Sequence, residues 1–148
     1  MKIFLGADHN GFELKTQLRE HLTHNGYQIE DLGADTLEPL DDYPQYAYAV
    51  ASQVLGGDDD DLGILICASG QGMAIAANRV NGIRAALAWS EETAVHARRD
   101  DNANVLVLAP RYVDPAGCIE IVDVWLKTKF SHNPKYQRRL DQIEELYG

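Results

Sequence analysis

The sequence predicts an α/β domain, a five-stranded parallel sheet with helices on both faces, and three observations predict it. Five short strand-like segments, most of them apolar, recur along the chain, and segments with helical spacing alternate with them. Gly, Pro and Asn punctuate the junctions, as at Asn25-Gly26, Gly56-Gly57 and Asp114-Pro115. The central run, Leu62-Gly63-Ile64-Leu65-Ile66, is continuously apolar, as a strand buried on both faces must be. Strand and helix in strict alternation give a parallel sheet covered on either side.

The elements follow in order. Residues 2–6 form a short apolar strand. Phe12, Leu14, Leu18 and Leu22 recur at helical spacing, and Asn25-Gly26 stops that helix. Residues 27–32 make a second strand, followed by a polar loop punctuated by Pro39 and Pro44. A helix over 46–55 ends at Gly56-Gly57, and the four acids of 58–61 read as a solvated loop rather than a metal site. The third strand is 62–67 and the third helix 71–80. A fourth strand covers 83–88, and Ser90 caps a helix running to about Arg99. After the fifth strand, 105–109, Asp114-Pro115 opens a helix with Ile119, Val122, Trp125 and Leu126 on one apolar stripe. A strongly charged last helix follows Ser131-His132-Asn133-Pro134 and runs to Tyr147.

The chain of 148 residues is long enough for one domain, residues 1–148, with its own core. No repeat, low-complexity tract or interdomain linker interrupts it. A net charge of −10 argues against a nucleic-acid partner, though not against a small anion held locally. The apolar run at the N-terminus is too short for a signal peptide, and no stretch approaches the ~20 apolar residues of a membrane span. Two cysteines suggest no disulfide framework, and the cytoplasm is the expected location.

In doubly wound sheets ligands sit beyond the strand C-termini, at a topological switch point. That rule selects Asp8-His9 after strand one, the Cys67–Gly72 turn after strand three, and, as a third group, the stretch from Asp100 to Asn104 before strand five. Cys67 ends a buried strand and enters a glycine-rich turn ahead of a helix. The unpaired N–H groups of that helix start would lower a thiol's pKa and hold anionic oxygens. The segment equally allows a small core cysteine before an ordinary turn. Cys118 lies on an apolar stripe and reads as core. Asp8-His9 suits sugar hydroxyls or an anion, or else a cap and a surface histidine. Asp42-Tyr43-Pro44 puts a phenol in a loop. Arg111 follows strand five, and Lys135 and Arg139, four apart, share a helical face fit to grip a phosphate or to make surface ion pairs; Arg138 lies beside them. His96 and Asp100, also four apart, can pair, and His21, His24 and His132 read as surface residues. Gly70-x-Gly72 lacks the third glycine of a dinucleotide fingerprint, and the lysine of a P-loop is missing.

Together these stretches resemble the type B ribose-5-phosphate isomerase family, which includes galactose-6-phosphate isomerase subunits. The resemblance runs through Gly6-Ala7-Asp8-His9-Asn10-Gly11-Phe12-Glu13-Leu14-Lys15, Asp42-Tyr43-Pro44, and Gly63-Ile64-Leu65-Ile66-Cys67-Ala68-Ser69-Gly70-Gln71-Gly72. It continues through Ile75-Ala76-Ala77-Asn78-Arg79, Gly82-Ile83-Arg84-Ala85, Asn102-Ala103-Asn104-Val105-Leu106 and Ile121-Val122-Asp123-Val124-Trp125-Leu126. It implies a flavodoxin-like doubly wound fold, a homodimer or homotetramer with sites at the subunit interface, and a C-terminal helix used in oligomer contacts. It also implies aldose–ketose isomerisation of a phosphorylated sugar with no cofactor and no metal. Cys67 would be the base, and Ser69, with the amides from Gly70 to Met73, would stabilise an enediolate. Some relatives lacking the cysteine use a Glu where this chain has Met73, which favours Cys67. Asp8 and Tyr43 would hold hydroxyls, His9, Arg111, Lys135 and Arg139 the phosphate, and Ala68, Gly70, Gly72 and Asp101 would line the sugar.

Three departures stand out. Lys135 replaces a usual Arg and loses its planar fork. Ala68 replaces a common Gly. Before strand five the family reads His-Asn-x-Ala-Asn, and this chain reads Asp100-Asp101-Asn102-Ala103-Asn104. The absent His is credited with opening the substrate's furanose ring, so Asp100 or His96 would have to act in its place. Ribose 5-phosphate is the first expectation. An open-chain tetrose 4-phosphate, which needs no ring opening, and a hexose 6-phosphate are alternatives. A non-catalytic phosphate- or nucleotide-binding module is the alternative from another class.

Overall fold

The computed structural model describes all residues, Met1–Gly148. Five parallel strands carry the fold: β1 (Lys2–Ala7), β2 (Gln28–Asp31), β3 (Leu62–Ile66), β4 (Ala85–Leu87) and β5 (Val105–Leu108). They lie in the order β2-β1-β3-β5-β4, all parallel. The chain therefore winds outward from β1 in one direction to β2 and in the other to β3. β5 then returns between β3 and β4.

Helices α1 (Phe12–His24), α4 (Glu91–Arg99) and α5 (Pro115–Lys127) pack on one face, and α2 (Tyr43–Gly56) and α3 (Gln71–Ala77) on the other. α6 (Pro134–Tyr147) buries only Leu140 and leaves Ile143, Leu146 and Tyr147 in solvent. Strand side chains alternate between faces. Ile64 and Ile66 accordingly join the α1/α4/α5 layer, and Leu65 and Cys67 the α2/α3 layer. A Cβ at Gly63 would press 2.6 Å from Val50, so glycine there lets α2 lie close against β3.

Several local signals act as the sequence predicts. Ser90 accepts from the Thr93 amide at 3.2 Å in a full capping box, and Asp114 caps α5 through the Gly117 amide at 2.7 Å. Other boundaries differ. α2 starts at Tyr43 rather than residue 46, because Pro44 occupies the first turn, where its missing N–H is no loss. α3 stops at Ala77 rather than residue 80. Asn78 there turns its side chain onto the edge strand, donating to Ala85 O at 2.9 Å and accepting from Ala85 N at 2.8 Å. Lys15, 1 % exposed, reaches Asp31 at 2.7 Å, Ala34 O at 2.9 Å and Gly33 O. It ties the loop after β2 to α1. No helix is long and apolar enough to cross a membrane.

Candidate active site

Strand parity and a tight turn bring the thiol to its position. Cys67 points to the α2/α3 face, and Gly70, at φ +74°, reverses the chain so that α3 starts above it. The N–H groups of Met73, Gly70 and Gly72 lie near enough to the sulfur to favour its charged form. The residue is 5 % exposed, and burial pushes its thiol above the ordinary value; the Asp8 charge adds to the rise while the three amides oppose it. The sequence-based expectation of a lowered thiol is thus overturned in the single chain. A seven-residue helix start does not outweigh desolvation of the sulfur.

Asp8, 6 % exposed, follows β1 and accepts from the Asn10 amide at 3.0 Å. His9 is tied to Asp41. Both the His9 amide and its Nδ1 lie 2.9 Å from Asp41 Oδ1, and the Tyr46 hydroxyl donates to Asp41 Oδ2 at 2.9 Å. The hydrogen bond to Asp41 and the charge of Asp8 raise the His9 imidazole above its ordinary value. Tyr43 leaves the expected loop for the first turn of α2, where its ring lies against Gly72. Arg111 is exposed, and its amide donates to Ala68 O at 3.0 Å.

Two shallow cavities flank the Cys67 turn. Asn10, Ala68, Pro110 and Arg111 line one of about 250 Å³. Ser69, Gln71, Leu87, Trp89 and Tyr112 contribute to the other, of about 340 Å³. The C-terminal edges of β1, β3 and β5 therefore unite Asp8, His9, Tyr43, Cys67, Ala68, Ser69, Gly70, Gly72, Met73 and Arg111.

The remaining candidates lie elsewhere. In a parallel sheet the segment before a strand sits at the opposite edge from the segment after it. Gly63 pairs with Val105 and Ile66 with Leu108, so Asn104 is level with the start of β3. From Leu62 to Cys67 is about 16 Å of strand at ~3.3 Å per residue. Asp100 and Asp101 belong to this far edge, and Arg139 lies close enough to Asp101 to act on its charge. Lys135 and Arg139 flank the Tyr136 ring at 5.4 and 6.0 Å, as their spacing predicts. Placing the stretch from Asp100 to Asn104 with the strand C-termini was therefore an error of sheet edge.

Asp100 is also poorly suited to proton work. Arg99 Nε at 2.8 Å and His96 Nδ1 at 2.9 Å hold its carboxyl down at about 2. Burial and the Asp100 charge push the neighbouring Asp101 upward. A polar cavity on this edge contains Arg84, Arg98, Asn102 and Asn104.

The sequence points to neither Asp41 nor Tyr46, and singles out only Tyr43 beside them. The available signal was two consecutive acids before a helix start: Asp42 takes the N-cap position without capping through its side chain, and Asp41 turns to His9.

The family model for Ribose/Galactose Isomerase matches residues 3–143. A ribose-5-phosphate isomerase B from Mycolicibacterium paratuberculosis is 44% identical over 145 residues, covering 98% of this chain and 91% of that one. The crystal structure of ribose-5-phosphate isomerase B from Mycoplasma genitalium with bound ribulose-5-phosphate superposes with a TM-score of 0.94 at 46% identity, covering 98% of this chain and 95% of that one. The enzyme from Thermotoga maritima gives a TM-score of 0.91 at 42% identity, covering 97% of both chains. The doubly wound sheet and the sequence agree over nearly the whole length, and the chain belongs to the ribose/galactose isomerase family.

Proposed function

We propose that the chain interconverts ribose 5-phosphate and ribulose 5-phosphate by proton transfer through an enediolate, with Cys67 as the base. The carrying observation is the sulfur beneath the amides of Gly70, Gly72 and Met73 at the β1/β3 switch point. As thiolate it takes the proton from C2 of the open aldose; the C–H electrons form the C1=C2 double bond while the carbonyl π pair moves onto O1. Ser69 and the nearby amides hold the enediolate oxygen, and the proton returns at C1 while the O2 proton passes to O1. Asp8 and Tyr43 hold sugar hydroxyls, and His9 and Arg111 hold the phosphate. The names of the relatives support the five-carbon substrate.

The site is completed by a second copy of the chain. Lys135, Arg139 and Asp101 stand on the edge away from Cys67, so they reach a phosphosugar there only from another subunit, in a homodimer or homotetramer. The exposed apolar face of α6 supports its use in that contact.

One observation favours a second reading. Asp100 is locked in ion pairs and Asp101 lies beside it, so neither replaces a ring-opening histidine. An open-chain tetrose 4-phosphate needs no such group. Turnover of ribose 5-phosphate, erythrose 4-phosphate and a hexose 6-phosphate decides. Ribose 5-phosphate is expected to lead, and its failure against faster erythrose 4-phosphate would reverse the assignment. In Cys67→Ala turnover is expected to fall by several orders of magnitude with the fold intact. Unchanged turnover would end the thiolate mechanism.

A further inference from the structure

We propose that Asp41 is a positioning residue for His9: its Oδ1 fixes the imidazole at Nδ1, Tyr46 braces its Oδ2, and Nε2 is left as the face offered to the anionic end of the substrate. The inference rests on the reading that His9 meets the phosphate. Two donors of His9, the backbone amide and ring Nδ1, converge on one carboxylate oxygen at 2.9 Å each. The Asp41 side chain is 5 % exposed and that of His9 33 %, so the carboxylate end of the pair is shielded from bulk water while the imidazole keeps a face open. The Tyr46 hydroxyl, 2.9 Å from the second oxygen, stops the carboxylate from rotating.

Proton bookkeeping fixes the tautomer. Burial alone would raise the Asp41 carboxyl, but the His9 ring and amide and the Tyr46 hydroxyl outweigh it and hold the group below its ordinary value. An ionised carboxylate only accepts, so Nδ1 must carry a hydrogen. Burial, followed by the Asp41 carboxylate, pushes the Tyr46 phenol up to about 12, so it stays a donor. Nε2 is then the only ring nitrogen free to change. It lies 3.1 Å from the Asn10 amide, whose oxygen or nitrogen can face it.

The charged groups around His9 are Asp8 from β1, Asp41 from the loop before α2, and Arg111, which shares a cavity with Asn10. Glu38 acts on Tyr46. The two acids favour the imidazolium, in which Nε2–H donates toward the cavity bearing Arg111. Asp41 thereby does through His9 what it cannot do directly, since a carboxylate facing a phosphate would repel it.

The test follows His9 by ¹⁵N-edited NMR titration and KM and kcat for ribose 5-phosphate against pH, in the unsubstituted protein and in Asp41→Asn. The unsubstituted protein is expected to show hydrogen on Nδ1 at all pH values and a His9 midpoint above that of a free imidazole. KM should rise as pH passes that midpoint. In Asp41→Asn the midpoint should fall, raising KM several-fold near neutrality and most above both midpoints, with kcat little changed. An unmoved midpoint, or hydrogen on Nε2 alone in the unsubstituted protein, overturns the proposal and leaves the His9 reading standing. A lowered midpoint with unchanged KM shows that His9 does not meet the phosphate, which overturns both. Tyr46→Phe, which keeps the carboxylate, decides if Asp41→Asn does not fold. It should retain the Nδ1–H tautomer with a smaller rise in KM, and loss of that tautomer with unchanged KM counts against the proposal.

Discussion

If Cys67 and Arg139 serve one site from two chains, two crippled variants should repair each other. Cys67→Ala removes the base at the strand C-terminal edge, and Arg139→Ala removes a cation at the far edge, about 16 Å of strand away. In a mixed dimer one site carries both lesions and the other carries neither. Random pairing makes half of the dimers mixed, and each has one intact site of two, so about one quarter of wild-type activity should return. Each variant alone should be weak. Cys67→Ala loses its chemistry, and Arg139→Ala loses a charge-assisted hydrogen bond of about 1.5–3 kcal/mol, roughly ten- to a hundred-fold in kcat/KM. The assay co-expresses the two variants with different affinity tags and measures isomerisation at substrate well below KM, expecting about one quarter of wild-type activity in the unfractionated protein and about one half in the purified mixed dimer. Activity no greater than the mean of the separate variants would refute the reasoning and place both residues in one chain's site.

Burial raises the Cys67 thiol, so the protonated form is favoured in the folded chain and the thiolate grows in only as pH rises. Alkylation of Cys67 by iodoacetamide should climb about tenfold per pH unit without levelling near neutrality, and a neutral plateau would contradict this. Cys118, fully buried and pushed up to about 11 by burial, should label far more slowly. Lys15→Met leaves Asp31 and the Gly33 and Ala34 carbonyls without their buried donor and should cost about 3–5 kcal/mol, read as a lowered urea midpoint. Arg99 and His96 hold Asp100 at about 2, below its ordinary 3.8, so its contribution is present above pH 4 and is lost as pH falls toward 2. The stability gap between wild type and Asp100→Asn should close over that window in acid unfolding, and a gap that persists below it would refute the assignment.

The sequence by itself determined the alternation of strands and helices, the cap at Ser90, the opening of a helix at Asp114-Pro115, and the delivery of Cys67 from a buried strand into a turn that opens a helix. These are local matters: side-chain period, capping chemistry and glycine at a left-handed position act within a few residues. The tertiary structure decided the rest. Strand order, with β5 between β3 and β4, depends on which backbone groups pair across long crossovers, and no local pattern encodes it. That pairing set Asp100, Asp101, Lys135 and Arg139 at the edge away from Cys67. It also drew Asp41 to His9 across 32 residues of chain, a contact legible only once the loop before α2 is folded over the end of β1.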